Sequence, residues 1–370
     1  MRCRAWPSCH IVCSTVTAEP LPQSADAWHL TVALRRSGVL RDGRVCKVAV
    51  EHTYPTVVSR VVRLRLTYEP DNDTAPRFVI FKTAFPGRDS SLGSPGREEV
   101  AFYNEVVPAK STGLAPTCFD AGWDEETKAW HLLLEDLSES HTSASSWPLP
   151  PTAQRCEAIL VALARFHAAW WDDPRLGVSI GTWRDDETIK QNLQGFSQLF
   201  AAFADRLGDL LSDERRDLYR RLVDKAPGLL ARYHSHRNVT IVHGDAHVWN
   251  CFLPKDERSG DVRFFDWQTW RTGIPTYDLA YMMALYWHPD LRRRRERPLL
   301  DHYHAALLAH GVKGYDRQAL ADDYRLSVLL PTMTPVLQSA FGIPPWFWWN
   351  NLEHILQATE DLGCRDLLGG

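Results

Sequence analysis

The chain has 370 residues, of which 44% are hydrophobic and 24% are charged, as expected for a globular protein of two domains or one large bilobed unit. Its formal charge of −4 gives no reason to expect a nucleic acid partner. No run of about 18 apolar residues occurs, and the first residues lack an apolar signal core. We therefore expect no membrane contact and, by default, a cytoplasmic location.

The cysteine pattern indicates neither a disulfide framework nor a zinc module. Eight cysteines are scattered along the chain without a Cys-x-x-Cys pair. Cys9, His10 and Cys13 could contact a metal, but no second pair of ligands lies nearby. We interpret the cysteines as unpaired thiols in a reducing compartment.

The first third of the chain is rich in predicted strands. Residues 1–24 lack periodicity and are expected to form a disordered tail or an N-terminal extension. A helix capped by Ser24 or Asp26 should run to Leu40. Apolar alternation then predicts strands near 45–50, 62–68, 77–82 and 130–137, with a hairpin loop at 53–59 and a helix that opens at Pro95.

The remainder of the chain has mainly helical spacing, after a Ser- and Pro-rich loop at 138–152. Strands followed by helices predict an α+β fold of two lobes, a small β-rich N-lobe at 25–137 and a large helical C-lobe at 138–370. A cleft between two lobes is the expected place for a binding site. The predicted helices lie at 154–171, 186–234 (two or three helices), 277–288, 297–310, 317–341 and 346–363.

The stretch from Ile241 to Asp266 interrupts the helices with two short apolar runs, each of which is followed by polar residues. Asp245 and Asn250 lie five residues apart after the first run, and Asp266 ends the second. Kinase-type phosphoryl transfer needs one carboxylate for the acceptor hydroxyl, and an Asn with a further Asp for Mg²⁺. A turn in which Asp and Asn bond their own backbone would give the same spacing. The buried run before Asp245 and the later Asp266 favour the kinase interpretation.

A metal site is the rival interpretation of the same stretch. His243, Asp245 and His247 alternate as metal ligands do, and such a set could hold Zn²⁺ or Fe²⁺. This alternative leaves Asn250 and Asp266 without roles.

Lys82 ends an apolar strand and shares the strand face of Phe78 and Ile80. In a phosphotransferase, a Lys in this place reaches the nucleotide phosphates and pairs with a Glu on the following helix. Glu99 is the preferred partner because it lies one helical turn before apolar residues of that helix. Glu98 and Glu105 are the alternatives.

With these residues the chain resembles the aminoglycoside phosphotransferase and choline kinase superfamily, which has a protein-kinase-like fold. The most similar branch is the ecdysteroid kinase-like one, and the resemblance covers about residues 30–368. The segments that carry it are His243-Gly-Asp-Ala-His-Val-Trp-Asn250, Phe265-Asp-Trp-Gln268, Val79-Ile-Phe-Lys82, Glu99-Val-Ala-Phe-Tyr103, Leu132-Leu-Leu-Glu-Asp-Leu137 and Pro275-Thr-Tyr-Asp-Leu-Ala280.

The resemblance implies an ATP-dependent, Mg²⁺-requiring enzyme, monomeric or homodimeric. The acceptor would be a hydroxyl of a small molecule such as a sugar, aminosugar, aminoglycoside or amino-alcohol-like metabolite. Asp245 would be the catalytic residue, and Asn250 and Asp266 would hold Mg²⁺. Lys82, held by Glu99, would bind the phosphates.

The resemblance also implies supporting roles for residues around these. Backbone groups from Glu135 to Leu137 would receive the adenine. His243, His247 and Asp278 would support the catalytic loop.

The sequence departs from the superfamily pattern in the phosphate loop. Residues 53–59 contain no glycine, and no Gly-x-Gly occurs in the chain. Thr56, Ser59 or backbone N–H groups would then have to meet the phosphates. A second hypothesis is therefore a nucleotide-binding module without turnover. Asp266 is followed by Trp-Gln rather than Phe-Gly, which argues against a protein substrate.

Two other segments have competing interpretations. We interpret the arginine run from Arg292 to Arg297 as a solvated helix face. The aromatic cluster from Pro344 to Trp349 packs a core, or else it forms a wall of the acceptor pocket that stacks on a sugar or a cation.

Overall fold

The computed structural model describes residues 20–56, 59–85, 95–183, 185–256 and 261–369. The chain divides into two compact units. The first unit comprises the residues up to Pro150 together with Trp249–Thr269, and the second comprises Pro151–Val248 and the residues from Trp270 onward. The α+β, bilobal protein-kinase-like class predicted from the sequence is confirmed.

An antiparallel five-stranded sheet forms the centre of the first unit, in the order β1-β2-β3-β5-β4. The helix α1, Ala27–Arg36, covers one face, and Asp26 caps it by accepting from the backbone N–H of His29 at 2.8 Å. The apolar residues of β2 alternate with polar ones, so one face of that strand enters the core. The strands are β1 (Arg44–Tyr54), β2 (Arg60–Glu69), β3 (Phe78–Thr83), β4 (Cys118–Trp123) and β5 (Trp130–Glu135).

The ends of this unit differ from the prediction in several places. Most of the predicted tail, residues 1–19, lies outside the described residues, whereas Gln23–Ala25 form a 3₁₀ turn and Leu21 packs against the core. The edge strand β4 was not predicted, because Asp120 and Gly122 interrupt its apolar alternation. The predicted loop 138–152 contains a short strand, β6 (His141–Ser143).

Helical and strand segments that carry candidate site residues complete the first unit. After β3, the helix α2 (Pro95–Ala101) continues through a π-helical turn, Phe102–Val106, into α3 (Val107–Ala109). The strand β6 pairs with β8 (Cys251–Pro254), which pairs in turn with β9 (Arg263–Phe264).

The second unit is mainly helical, with one antiparallel strand pair, β7 (Thr240–Val242) and β10 (Arg271–Gly273). The predicted helix 297–310 begins earlier, at Pro289, and the predicted helix 317–341 is divided by a 3₁₀ turn at Leu330–Met333. Among the described residues, no helix is both long and apolar enough to cross a membrane. The helices are α4 (Ala153–Ala169), α5 (Asp186–Leu207), α6 (Asp213–His234), α7 (Thr276–Ala280), α8 (Pro289–Ala309), α9 (Arg317–Leu329), α10 (Thr334–Ala340) and α11 (Pro345–Asp361).

The arginine run at the start of α8 is partly buried, so its interpretation as a wholly solvated face is wrong. Arg292 is 1% exposed and donates to Glu296 Oε2 at 2.8 Å and to Asp361. The hydroxyl of Tyr324 donates to the other Glu296 oxygen at 2.7 Å. A buried arginine needs such partners because an unpaired charge in the core is costly.

Asp278, near the start of α7, fastens the loop that follows β7. One carboxylate oxygen accepts from the backbone N–H of His243 at 2.8 Å, and the other accepts from that of Gly244 at 2.9 Å. His167 of α4 lies 3.3 Å from the same carboxylate, and its other ring nitrogen is 2.7 Å from the Tyr303 hydroxyl. All of these groups are buried. This buried carboxylate therefore fixes the backbone immediately before Asp245.

The stability that the Asp278 carboxylate contributes depends on pH. Burial opposes ionisation, but the hydrogen bond from His167 and the nearby backbone N–H groups outweigh it, so the pKa of Asp278 lies below its ordinary value. A lowered pKa in the folded state means that the ionised carboxylate contributes stability above about pH 4. That contribution is lost as the pH falls through the folded-state pKa.

We predict that Asp278→Ala lowers the free energy of unfolding by about 3 kcal/mol at pH 7, because two buried backbone N–H groups lose their acceptor. The difference from the parent chain should shrink as the pH falls below about 4, because the unfolded carboxylate then takes up a proton and the stabilisation by the ionised folded form is progressively lost. Urea unfolding at pH 7 and at pH 3 measures both values. Asp290→Ala, which removes an exposed carboxylate in the first turn of α8, is the matched control and should cost less than about 1 kcal/mol. An equal effect of the two substitutions at pH 7 would contradict the bracing role.

Candidate active site

Lys82 on β3 is the centre of a charged cluster in the first unit. Its ammonium nitrogen lies 2.6 Å from Glu99 Oε2 on α2 and 2.6 Å from Asp266 Oδ1, just after β9. Lys82 is 7% exposed and Glu99 is 1% exposed. The alternative partners Glu98 and Glu105 are both exposed. The structure thus brings together three of the residues singled out from the sequence.

The electrostatics of this cluster keep Lys82 charged. Burial would lower the pKa of its ammonium, but Asp266 and Glu99 together outweigh burial and raise the pKa above the ordinary value. When all three groups are ionised they carry one positive and two negative charges, a net charge of −1. A buried excess of negative charge favours a bound cation.

Backbone geometry at the end of β9 brings Asp266 close to Asn250. The β8–β9 register pairs Cys251 with Phe264, and the backbone N–H of Phe265 donates to the Asn250 carbonyl at 3.1 Å. The sharp turn that follows requires a φ of +67° at Asp266, a conformation that Asp tolerates better than most residues. Unusual backbone geometry of this kind is typical of functional sites.

The segment after Asp266 is anchored to the helix that carries Glu99. The ring of Trp267 stacks on that of Phe102 with centroids 3.9 Å apart. The indole N–H of Trp267 donates to the Phe264 carbonyl at 2.8 Å. These contacts fix the position of Asp266 relative to α2.

Asn250 and Asp266 suit a hard divalent cation such as Mg²⁺. Both supply oxygen donors, the ligand type that Mg²⁺ prefers, and the cluster beside them has excess negative charge. Asn250 is buried, so its side chain is held in place rather than solvated.

A narrow pocket of about 30 Å³ in the first unit lies beside the segment predicted to receive the adenine. Ile80 of β3, Leu134 of β5 and Phe252 of β8 contribute apolar walls, and the rings of Phe252 and Phe265 stack at 4.6 Å. The segment from Glu135 to Leu137 also lines this pocket. The backbone N–H of Glu135 already donates to Thr117, and the Leu137 carbonyl accepts from His141. A nucleotide base would therefore use other backbone groups of this segment.

The hairpin between β1 and β2 has the predicted position. Ser59, at the start of the returning strand, is 4% exposed, and the Thr56 hydroxyl donates to its carbonyl. Residues 57 and 58 at the tip lie outside the described residues. The structure therefore places Ser59 at the buried base of the loop.

In the second unit, Asp245 is held by contacts within its own loop. Its backbone N–H donates to His243 Nδ1 at 3.2 Å, and its carboxylate lies 3.6 Å from His247 Nε2. Burial and the nearby Asp245 carboxylate hold the pKa of the Tyr281 hydroxyl well above its ordinary value. The Tyr286 ring packs 5.1 Å from His247.

These contacts bear on the alternative metal-site interpretation. His243 uses Nδ1 as an acceptor for the loop backbone, as expected for a scaffold residue. Within the described ranges, no three His, Cys, Asp or Glu side chains are placed to share an ion.

Two residues that matter to this arrangement were missed by sequence reasoning. His167 supports Asp278, and Tyr281 lies near Asp245, whose charge helps to raise the pKa of Tyr281. Tyr281 follows Asp278 by one helical turn and begins a π-helical turn, Tyr281–Leu285. Such turns recur at functional sites, but the sequence pattern does not reveal them. His167 is separated from its partner by 111 positions, so no local pattern connects the two.

Solved structures share the fold of this chain at low sequence identity. A putative aminoglycoside phosphotransferase from Ralstonia eutropha is 13% identical, with 91% of this chain and 97% of that chain covered and a TM-score of 0.56. A choline kinase from Cryptosporidium parvum is 11% identical, with 87% and 91% covered and a TM-score of 0.56. The choline kinase LicA from Streptococcus pneumoniae is 12% identical, with 90% and 100% covered and a TM-score of 0.51.

Sequence comparison identifies the family more directly. No significant match is found among curated protein sequences. The profile of the ecdysteroid kinase-like family matches residues 54–313, which is more than half of the 370 residues. This chain therefore belongs to the ecdysteroid kinase-like family.

Proposed function

We propose that this protein is an ATP-dependent kinase that phosphorylates a hydroxyl group of a small molecule. The acceptor class is a sugar, aminosugar, aminoglycoside or amino-alcohol-like metabolite. The observation that carries the proposal is the buried cluster in which Lys82 pairs with both Glu99 and Asp266. Family membership and the structural likeness to choline kinases and aminoglycoside phosphotransferases support it.

In this proposal the first unit binds the nucleotide. The base lies along Glu135–Leu137 and packs against the side chains of Ile80 and Phe252. The ammonium of Lys82 contacts the phosphates and Glu99 fixes its position. Asn250 and Asp266 hold Mg²⁺, which supplies charge neutralisation at the phosphates. Ser59 and the backbone around the glycine-free hairpin complete the phosphate contacts.

Asp245 acts on the acceptor in this proposal. Its carboxylate accepts a hydrogen bond from the acceptor hydroxyl, orients the oxygen for in-line attack on the γ-phosphorus, and takes the proton as the new O–P bond forms. ADP leaves as the old P–O bond breaks. Asp278 and His243 keep the backbone around Asp245 in place. His247 supports the carboxylate from the same loop.

The alternative is a nucleotide-binding module that does not catalyse phosphoryl transfer. The lack of glycine between residues 53 and 59 is the feature that favours it. A nucleotide-binding measurement paired with an acceptor-panel assay separates the two functions. Binding without transfer to any hydroxyl of a broad panel would support the silent module.

We predict that Asp245→Asn lowers kcat about a thousandfold, because the amide cannot take the acceptor proton. The dissociation constant for ATP should change little, because Asp245 serves the acceptor rather than the nucleotide. The rate of ADP formation with an active acceptor and the affinity for ATP provide the two measurements. Asp256→Asn removes an exposed carboxylate farther along the chain and should leave both values unchanged. Near-normal turnover of Asp245→Asn would exclude the catalytic role.

We predict that Asp266→Asn removes the Mg²⁺-dependent part of nucleotide binding. The change keeps the side-chain shape but removes one of the two negative charges beside Lys82. In the parent chain, saturating ATP with Mg²⁺ should raise the thermal unfolding temperature. A ligand at a hundredfold excess over its Kd stabilises the folded state by about 2.7 kcal/mol.

The variant should show no such increase beyond that seen with ATP and EDTA. Asp71→Asn, in the exposed turn after β2, is the control and should respond like the parent. A full Mg²⁺-dependent increase in Asp266→Asn would rule out the metal role.

A further inference from the structure

The first turn of α11 forms a groove with the C-terminal end of α5 in the second unit. The cavity has a volume of about 490 Å³, which is within the usual range for small-molecule sites. Its lining residues differ entirely from those of the pocket proposed for the base. Those that matter most here are Arg206, Leu210, Trp346, Trp348 and Trp349.

The tryptophans of this groove have two different environments. Trp348 is 4% exposed and packs edge-on against Phe203 at 5.3 Å, as a core residue does. Trp346 is 49% exposed, and Leu210 on the opposite side is 63% exposed. The aromatic cluster from Pro344 to Trp349 is therefore part core and part surface. Exposed apolar groups in one groove supply a contact surface for a bound aromatic molecule.

Arg206 adds a positive charge to this apolar surface. Its guanidinium carbon lies 5.6 Å from the ring centroid of Trp348 and 5.8 Å from that of Phe203, so it packs against aromatic faces. Within the part of the chain that the structure describes, no carboxylate forms an ion pair with Arg206. The neighbouring Asp205 and Asp209 are exposed and do not line the groove. The planar guanidinium is thus available for a carboxylate, which it can bind through two parallel hydrogen bonds.

We propose that this groove is a binding site for a small, flat aromatic carboxylate. The ring of the ligand stacks on Trp346 and Trp349, and its carboxylate pairs with Arg206. A cationic ligand is disfavoured because the lining residues supply a positive charge and no negative one. A neutral aromatic molecule would use the ring faces but forgo the ion pair.

The groove is linked by ring contacts to the surroundings of Asp245. The ring of Trp346 is 5.9 Å from that of Phe347, which is 6.2 Å from that of Tyr286. Tyr286 in turn packs on His247, beside Asp245. A ligand on Trp346 would therefore lie next to Phe347, the first of the rings that extend through Tyr286 and His247 toward Asp245.

Calorimetric titration with 2-naphthoate tests the site directly. It is measured without ATP or Mg²⁺, so its outcome is independent of phosphoryl transfer. We expect saturable binding to the parent chain. Trp346→Ala should bind at least about fivefold more weakly because a stacking surface is lost. Arg206→Gln should bind about tenfold more weakly because the ion pair is lost. Arg206→Lys should retain part of the affinity, and the neutral analogue 2-naphthalenemethanol should bind the parent less tightly than 2-naphthoate.

Two exposed residues outside the groove provide matched controls. Trp28→Ala removes a 66% exposed tryptophan on α1, and Arg294→Gln removes an exposed arginine on α8. Both should bind 2-naphthoate as the parent does, and all variants should keep the thermal unfolding temperature of the parent within a few degrees. The proposal is overturned if the parent does not bind 2-naphthoate, or if the two groove variants bind it as tightly as the controls. Tighter binding of the neutral analogue would overturn the role of Arg206.

Discussion

The two ion pairs of Lys82 are the constraint on which the first unit depends. A buried ammonium must be paired, and here it is paired by carboxylates that come from different parts of the chain, the helix after β3 and the turn after β9. Satisfying one charge therefore fixes the positions of three segments. When all three groups are ionised, the same contacts leave a net negative charge beside Asn250, which suits a divalent cation. In the proposed function the same atoms also contact the phosphates, so a substitution in this cluster should affect both stability and nucleotide binding.

The second unit uses a buried carboxylate in a comparable way. Asp278 accepts from two consecutive backbone N–H groups and from His167, so the strand β7 must pass into its loop in one conformation. Asp245 follows directly, and its backbone N–H donates to His243 Nδ1. Side chains with fixed hydrogen bonds do not have to be reorganised during a reaction, which is how a positioned base contributes to catalysis. The groove at Trp346 shows the opposite pattern, because its large apolar groups remain exposed.

Much of this arrangement could be predicted from the sequence because its signals are local. The alternation in β2, the apolar face around Lys82 and the helical position of Glu99 each depend on residues a few positions apart, and each agrees with the structure. Features that depend on long-range contacts escaped prediction. The edge strand β4 has a weak alternation, and only its pairing with β5 shows it to be a strand. Arg292 is buried where it donates to Asp361, which lies 69 positions away. The contact between His167 and Asp278 likewise joins residues that are 111 positions apart.

The central claim is that the Lys82 cluster binds the phosphates of a Mg²⁺-bound nucleotide, and the most direct measurement is the affinity for ATP in the presence of Mg²⁺. Calorimetric titration of the parent chain, of Lys82→Met and of the exposed control Lys47→Met provides it, with circular dichroism to establish that each variant is folded. The account predicts that the parent and Lys47→Met bind ATP equally, and that folded Lys82→Met binds at least about tenfold more weakly because a charge-assisted contact is lost. Equal affinity of folded Lys82→Met and the parent, or no binding by the parent, would contradict it.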